Sequence, residues 1–305
     1  MKIVMLGHTG VGKTTYVASL YGIMQQKIED FILRSVDHEQ HNQLMKMFEE
    51  ISFGKYPSPT EQRSEYLFDI HYYFNSQDHK LMSFTFTDYR GGTIHESPNT
   101  EEVQVLIQDL SQANGIIMFF DAEAIVRGEI WNSKIGRMTS LVTHAIENLN
   151  HPISLAIVLT KSDLVENFDQ RIINPFAGII SVIEASKSIS GCLIPISCSN
   201  QLINVQIPLL FCLKTLMTLY VQAKTSKELS KPKTIDKEQT YEAINHAIKN
   251  LNSYVQQLPL IQTGTNLDTY TKKLSEFKHN TNLNYPQKNC SIFPIYSDPF
   301  DAFNS

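Results

Sequence analysis

The sequence predicts an α/β fold with a mostly parallel sheet and helices on both faces. Apolar, strand-like segments such as residues 2–6 and 153–159 alternate with segments of helical periodicity. Two aromatic-rich segments, residues 66–74 and 81–87, are joined by a short polar turn that is typical of a hairpin. We therefore expect six strands, one of them antiparallel within the hairpin, followed by a C-terminal helical hairpin and an extended tail.

A complete phosphate-binding loop pattern follows the first strand and leads into a helix. Its residues are Gly7, His8, Thr9, Gly10, Val11, Gly12, Lys13, Thr14 and Thr15. The glycines let backbone N–H groups turn toward phosphate oxygens, and Lys13 reaches the outer phosphates as a catalytic cation, while the Thr14 hydroxyl faces Mg²⁺. The strand before it and the helix after it argue against an ordinary glycine-rich turn. The pattern predicts binding of a nucleoside triphosphate.

A second motif stands at the end of the strand segment 153–159. Thr160-Lys161-Ser162-Asp163 resembles the guanine-recognition motif of small GTPases, in the Thr-Lys-x-Asp form also found in the Rho group. The resemblance implies that Asp163 accepts two hydrogen bonds from guanine and that the Lys161 stem lies over the base. Taken alone, the tetrapeptide is also compatible with a solvated turn. A further similarity, Ser197-Cys198, implies that the Cys198 N–H meets the guanine O6.

Two loop segments are similar to the γ-phosphate sensors of the same proteins. Asp88-Tyr89-Arg90-Gly91 resembles the Asp-x-x-Gly element of switch II, in which Asp88 holds Mg²⁺ through a water and the Gly91 N–H contacts the γ-phosphate. In the segment 54–60, Thr60 is the candidate for the switch I threonine. The resemblance implies that it binds Mg²⁺ and takes part in catalysis. The alternative is that the prolines of this segment only stiffen a loop.

These elements, in this order, resemble a Ras-like small GTPase of the translation-factor-related (TRAFAC) class over residues 1–222. The resemblance implies GTP or GDP and Mg²⁺ as ligands. An amphipathic stretch between the first helix and switch I is similar to the prokaryotic double-GTPase families, whereas cell-polarity and Arf-like GTPases are close alternatives. That stretch carries Leu44, Met47, Phe48 and Ile51.

One position departs from the Ras pattern. Where switch II carries the glutamine that orients the attacking water, this chain has Gly92, which has no side chain for the task. Other residues that could position the water are Arg90, His95 and Glu96, and Arg63 could act as an arginine finger in cis. For each of them an ordinary exposed loop position is the favoured interpretation, and none is assigned a catalytic role. Hydrolysis is therefore expected to be slow or dependent on a partner.

Charge, cysteine content and hydropathy indicate where the protein is expected to act. The 305 residues carry a net charge of −5, which does not favour a nucleic-acid partner. The cysteines lack metal-type spacing and are expected to be reduced: Cys192, Cys198, Cys212 and Cys290. No apolar run approaches the ~20 residues of a membrane span, and no lipid-anchor motif is recognised. We expect a cytoplasmic protein without a membrane anchor.

The last third of the chain is predicted to contain a polar linker at 223–237, a helical hairpin at 238–280 and an aromatic and proline-containing tail at 281–305. The hairpin is predicted because apolar residues recur at spacings of three and four in two successive segments, from Tyr241 to Leu258 and from Leu267 to Phe277. The hairpin is expected either to pack on the G domain or to read the switches. The tail either docks in a groove of a partner or straps back over its own domain. A protein effector or activator is expected at the switches, residues 54–64 and 88–99.

Three functions remain open from the sequence. The favoured one is a GTP-dependent molecular switch that hydrolyses GTP to GDP slowly or with assistance. The second is an assembly or structural module that binds GTP or GDP with little hydrolysis. The third is a P-loop ATPase in which the Thr-Lys-Ser-Asp sequence is incidental. Base preference and turnover distinguish them.

Overall fold

The fold is that of a computed structural model, which describes residues 1–58, 62–96, 99–128, 131–146, 149, 151–199, 201–228, 235–262 and 267–279. The strands are β1 (Lys2–Gly7), β2 (Phe31–Ser35), β3 (Ser64–Phe74), β4 (Gln77–Asp88), β5 (Gly115–Asp121), β6 (Ile153–Thr160), β7 (Ile189–Pro195), β8 (Ser197–Cys198), β9 (Leu202–Ile203) and β10 (Leu260–Ile261).

The helices alternate with these strands over most of the chain. They are α1 (Lys13–Ile23), α2 (His38–Ser52), α3 (Glu101–Ser111), α4 (Ala122–Val126), α5 (Trp131–Ile146), α6 (Gln170–Ile173), α7 (Ala177–Ala185), α8 (Ile207–Glu228), α9 (Ile235–Val255) and α10 (Leu267–His279). No helix in these described ranges is both long and apolar enough to cross a membrane.

The predicted α/β fold is confirmed. One sheet has the order β10-β7-β6-β5-β1-β4-β3-β2, and β8 pairs with β9 in a small separate hairpin. Strands β4, β1, β5, β6 and β7 run parallel, whereas β3 is antiparallel to β4. The six expected strands form the centre of the sheet. The two edge strands, β2 and β10, were not expected, because they are only five and two residues long.

The centre of the sheet is covered on both sides. Every residue of β5 and β6 is buried, as parallel strands between two layers of helices require. Helix α8 packs on β5 and β6, and α9 lies over β3 and β4. Because parallel strands place their carboxyl ends at one edge of the sheet, the loops after β1, β5 and β6 are brought together there.

The amphipathic stretch after the first helix folds as α2. Its N-terminus is capped by Asp37, whose carboxylate accepts a hydrogen bond of 2.8 Å from the Gln40 N–H. Its buried residues include Leu44 and Phe48, four positions apart on one face. The Phe48 ring lies so close to α1 that a Cβ at Gly22 would be 2.1 Å from it. A glycine in α1 is therefore what lets the two helices approach.

The outer edge of β2 is not open for pairing with another strand. The Phe31 N–H donates to the Ile28 carbonyl at 2.8 Å, and the Leu33 N–H donates to the Met24 carbonyl at 3.1 Å. The Gln25 side-chain amide donates to the Leu33 carbonyl at 2.9 Å. The chain that follows α1 thus occupies groups that an added strand would need.

The C-terminal segment is built onto the sheet. Both predicted helices, α9 and α10, are present, but the chain between them forms β10, which pairs antiparallel with β7. Helix α9 packs on α8, and α10 packs on α6 and β7. Helix α8 continues to Glu228, beyond the boundary predicted at residue 222 and into the predicted linker. The predicted tail at 281–305, with Cys290, lies outside the described residues.

Tyr270 completes the pairing with β7 at the residue directly before β10. Its hydroxyl donates to the Pro259 carbonyl at 2.6 Å and accepts from the Leu193 N–H on β7 at 3.1 Å. The side chain is 2% exposed, and burial raises its pKa well above the ordinary value. The Tyr270 hydroxyl therefore forms the hydrogen bonds that a paired strand would otherwise form with these two backbone groups.

Replacing Tyr270 by phenylalanine is expected to lower the free energy of unfolding by about 1–3 kcal/mol, because two buried backbone groups lose their partner. Urea unfolding of the nucleotide-free protein measures this change. Tyr56→Phe is the matched control, since Tyr56 is 56% exposed, and it should shift stability by less than ~0.5 kcal/mol. Equal stabilities of the two variants would contradict the role given to the Tyr270 hydroxyl.

Candidate functional site

A cavity of about 490 Å³ opens at the carboxyl ends of β1 and β6. Its walls include the loop between β1 and α1, the segment after β6 and the residues at the end of β8. Predicted site residues that line it are 8–15, Gly91, Thr160, Lys161, Asp163 and Cys198. The cavity has the size and location typical of ligand sites in α/β proteins.

The remaining predicted residues have different positions. Gly7, Asp88 and Ser197 are buried and adjoin the lining residues. Thr60, the predicted switch I ligand, lies outside the described residues and stays a prediction.

Sequence reasoning missed several residues of the cavity wall. They are Tyr56, Pro57, Ser58, Glu123, Leu164 and Ser199. Three of them belong to the segment already proposed as switch I, and two adjoin predicted base-binding residues. No sequence motif marks Glu123 as a site residue, because its position in the cavity wall depends on the parallel pairing of β5 with β6.

The loop between β1 and α1 depends on its glycines. Gly10 and Gly12 have φ values of +79° and +93°, in the left-handed region that other residues rarely adopt. Helix α1 begins at Lys13, directly after Gly12, so the helix N-terminus faces the cavity. Free backbone N–H groups at such a terminus attract anions.

Lys13 is a desolvated cation within this loop. Its ammonium donates a 2.8 Å hydrogen bond to the Gly7 carbonyl and lies 3.8 Å from an Asp88 carboxylate oxygen. The two side chains are 6% and 0% exposed. Burial lowers the pKa of Lys13, and the nearby Asp88 carboxylate partly opposes this shift. Because the ammonium has little contact with water, it can interact strongly with a phosphate entering the cavity.

The segment after β4 touches the phosphate-binding loop directly. A Cβ placed on Gly91 would lie 2.0 Å from the Thr9 nitrogen and 2.4 Å from the His8 carbonyl carbon. Only a glycine fits this contact. The Gly91 backbone therefore lies against the loop that would hold the phosphates.

Charged side chains hold the rest of this segment in place. Arg90 pairs with Glu96 and, at 3.2 Å, with Glu102 on α3. The Arg137 guanidinium of α5 donates to the Ile94 and Glu96 carbonyls. Two of the residues considered for water positioning, Arg90 and Glu96, are thus paired with each other. The side chain of His95, a third, is outside the described part of the chain.

Arg63 takes part in a partly buried hydrogen-bond network outside the cavity. Its guanidinium donates to Asp109 at 2.8 Å and to the Tyr89 hydroxyl at 3.3 Å. The same Asp109 carboxylate accepts from Tyr89 and from Lys2, each at 2.5 Å. Burial raises the pKa of Asp109, but the three donors together place it below the ordinary value. Arg63 does not line the cavity, so this arrangement gives no support to a role in cis at the phosphates.

The opposite end of the cavity carries a carboxylate held by hydroxyl groups. The Ser199 hydroxyl donates to Asp163 at 3.0 Å and lies 2.9 Å from the Ser197 hydroxyl. The Thr160 hydroxyl donates to the Phe120 carbonyl at 3.0 Å, which fixes the end of β6 against β5. Asp163 remains exposed. One of its oxygens is thus oriented while the carboxylate faces the open cavity.

The oxygen ligands at the phosphate-binding end of the cavity are also suited to Mg²⁺. Thr14 contributes a hydroxyl to the cavity wall, and the buried Asp88 contributes a carboxylate near Lys13. Hydroxyl and carboxylate oxygens are the hard ligands that Mg²⁺ prefers, together with water and phosphate. The cavity as a whole thus pairs an anion-binding end with a carboxylate end, as a nucleotide requires.

The comparison with known families agrees with this geometry. The family model Double-GTPase 2 matches residues 2–184, which contain the phosphate-binding loop, both predicted switch segments and the Thr160–Asp163 motif. No curated protein matches the chain. Since the family match covers more than half of the 305 residues, the chain belongs to the Double-GTPase 2 family and is a GTP-binding P-loop protein.

Proposed function

We propose that this protein is a molecular switch that binds GTP with Mg²⁺ and hydrolyses it to GDP slowly unless a partner assists. The observation that carries the proposal is that one cavity brings together the P-loop, Gly91 and the Asp163 carboxylate. These are the groups needed to hold phosphates, to sense the terminal phosphate and to select the base.

In this proposal the nucleotide lies along the cavity. The P-loop amides and Lys13 bind the phosphates, because α1 directs its N-terminus and a desolvated cation toward them. Asp163 accepts hydrogen bonds from the guanine N1–H and exocyclic amine, which adenine does not offer in that arrangement. The Cys198 N–H meets the guanine O6. Adenine nucleotides would leave the Asp163 carboxylate without these donors.

Thr14 and Asp88 would hold Mg²⁺, with Thr60 as the switch I ligand. Mg²⁺ bound there would neutralise charge on the phosphates. The protein's own contribution to hydrolysis is the set of P-loop amides and Lys13, which stabilise negative charge as water attacks the γ-phosphate in line. Loss of the γ-phosphate would remove the contacts that hold Thr60 and Gly91, and both switch segments would relax.

A slow intrinsic rate follows from Gly92. No side chain at this position can orient the attacking water. Arg90 and Glu96 are paired with each other, and Arg63 is paired with Asp109. A protein activator acting at residues 54–64 and 88–99 would supply the missing group. Strand addition at β2 is disfavoured for such a partner, because the edge of β2 is occupied.

Replacing Gly92 by glutamine is expected to raise the rate of GTP hydrolysis about tenfold, by giving the attacking water an oriented partner. Gly92 has φ −70° and ψ −32°, which any residue adopts, and a Cβ there would lie 3.5 Å from Arg90. The substitution therefore fits without strain. Single-turnover phosphate release measures the rate.

Gly92→Leu is the matched control for this prediction. It adds a side chain of similar size without an amide, so the rate should stay at the wild-type value. An equal increase in both variants would show that stiffening of the segment, and not water orientation, limits hydrolysis.

The test of the proposed function is a titration of the purified protein with fluorescent GTP, GDP and ATP analogues in Mg²⁺ buffer, followed by phosphate release. Guanine-selective binding with slow release is the expected result. Tight guanine binding with no release, even with cell extract added, would favour the second candidate, an assembly module; Gly92 is the observation behind that candidate. Preference for ATP would overturn the proposal.

A further inference from the structure

A salt bridge crosses from β5 to the base-recognition motif. Strands β5 and β6 are parallel neighbours, and Asp121 at the end of β5 is in register with Thr160 at the end of β6. The next residue, Lys161, lines the cavity and places its ammonium on the Asp121 carboxylate. The Asp121 side chain is 10% exposed, whereas that of Lys161 is 40% exposed. The bridge therefore joins a buried anchor to a side chain in the cavity wall.

The Asp121 carboxylate is held at both oxygens. Its Oδ1 accepts a 3.1 Å hydrogen bond from the Ala124 N–H, which caps the N-terminus of α4. Its Oδ2 accepts from the Lys161 ammonium. Because rotation of the carboxylate would break both interactions, Asp121 provides a fixed point rather than a mobile counter-ion.

The other end of the Lys161 side chain is fixed by the backbone. Lys161 has φ 54° and ψ 34°, a left-handed conformation that non-glycine residues adopt only where the surroundings require it. The following residue, Ser162, donates its N–H to the Ile196 carbonyl at 3.1 Å, which ties the motif to the segment after β7. With its Cα and its ammonium both held, the aliphatic stem of Lys161 has a defined course along the wall.

We propose that Asp121 is a positioning residue for the base of the nucleotide. It holds the Lys161 stem in place before the nucleotide arrives, so that the stem forms one face of the base pocket without having to be ordered on binding. This inference rests on the proposed function, because it assumes that guanine occupies the Asp163 end of the cavity. It goes beyond the motif, since Asp121 lies on another strand.

The test is the substitution Asp121→Asn, with affinities for fluorescent GDP and for inorganic tripolyphosphate. Asparagine keeps an oxygen that can cap α4 but loses the charge that binds Lys161. Freeing one long side chain is expected to weaken GDP binding by about three- to tenfold. Tripolyphosphate has no base, so its affinity should not change.

A double-mutant cycle with Lys161→Met separates positioning from a structural role. Methionine keeps an unbranched stem but has no ammonium for Asp121 to hold. In the Lys161→Met background, Asp121→Asn should have no further effect on GDP affinity. The same loss in both backgrounds, or an equal loss of tripolyphosphate binding, would overturn the proposal.

Asp169→Asn is the matched control. Asp169 also caps a short helix through a 2.8 Å hydrogen bond from the Arg171 N–H and also pairs with a cation, Arg171, but it does not line the cavity. Its substitution should leave GDP affinity unchanged. If Asp121→Asn does not fold, Asp121→Ser retains a capping hydroxyl that is too short to hold Lys161, and the same expectations apply.

The outcomes also separate this inference from the proposed function. Failure of the wild-type protein to bind guanine nucleotides would reject the proposed function. Wild-type binding together with unchanged GDP affinity in Asp121→Asn would reject the positioning role alone.

Discussion

Lys13→Ala is expected to abolish GTP binding at micromolar concentrations, with a fall in affinity of at least about 100-fold. The Lys13 side chain is 6% exposed, and its ammonium lies between the Gly7 carbonyl and the Asp88 carboxylate, at the N-terminus of α1. Alanine removes the cation but leaves the backbone N–H groups of the loop. The remaining loop would still attract phosphate weakly, because those N–H groups do not depend on the side chain. Equilibrium titration with fluorescent GTP measures the loss.

The control for this experiment is Lys80→Ala. Lys80 also pairs with a carboxylate, that of Asp69 at 2.6 Å, but it is 53% exposed and does not line the cavity. It should bind GTP as the wild type does. Since Lys13 lies beside a buried carboxylate, circular dichroism must show that Lys13→Ala is folded. A folded Lys13→Ala protein that binds GTP within about threefold of the wild type would disprove the phosphate-binding role.

The parts of the site that could be predicted from the sequence are those in which one short segment contains the whole geometry. The residues from Gly7 to Thr14 carry the turn, the cation and the start of the helix within one loop, and each was found in the cavity wall or directly beside it. Strand segments 2–6 and 153–159 were predictable because buried parallel strands are almost continuously apolar, and Lys2 and Ser154 are the only polar residues in these two segments.

The parts that could not be predicted depend on contacts between distant segments. The bridge from Asp121 to Lys161 follows from the register of β5 with β6, and the network of Arg63 with Asp109 joins the start of β3 to α3. Neither pair has a local signature. The sequence offered Arg63 as a residue free to act at the phosphates, and only the position of Asp109 shows that it is engaged elsewhere.

The C-terminal segment shows the same division. The three- and four-residue spacing of apolar residues predicted both α9 and α10, because that spacing is a local property of a helix. It did not predict the surfaces that these helices cover, or that two residues between them extend the sheet as β10. The hydroxyl of Tyr270 has its role only because the helix lies beside β7. Side-chain periodicity reports that a face is buried, not what buries it.

Asp163→Asn is expected to change the base that the protein selects while leaving the phosphate site intact. Two charge-assisted hydrogen bonds to guanine would be lost, which corresponds to a fall in GDP affinity of about 100-fold. The asparagine amide presents an N–H group where guanine also presents donors. Xanthine has a carbonyl in place of the exocyclic amine, so xanthosine diphosphate should bind the variant more tightly than GDP does. Competition of both diphosphates against a fluorescent analogue gives the ratio.

Ser199→Ala is the matched control for the base assignment. It removes the hydroxyl that donates to Asp163 at 3.0 Å but leaves the carboxylate itself. We expect GDP affinity to fall only a few-fold, because Ser199 orients the carboxylate and the two hydrogen bonds from Asp163 to guanine are kept, with guanine still preferred over xanthine. Tripolyphosphate should bind all three proteins equally, because its site is at the other end of the cavity. If Asp163→Asn kept the wild-type preference for guanine, the base would have to be recognised by other groups, and the orientation proposed for the nucleotide would be wrong.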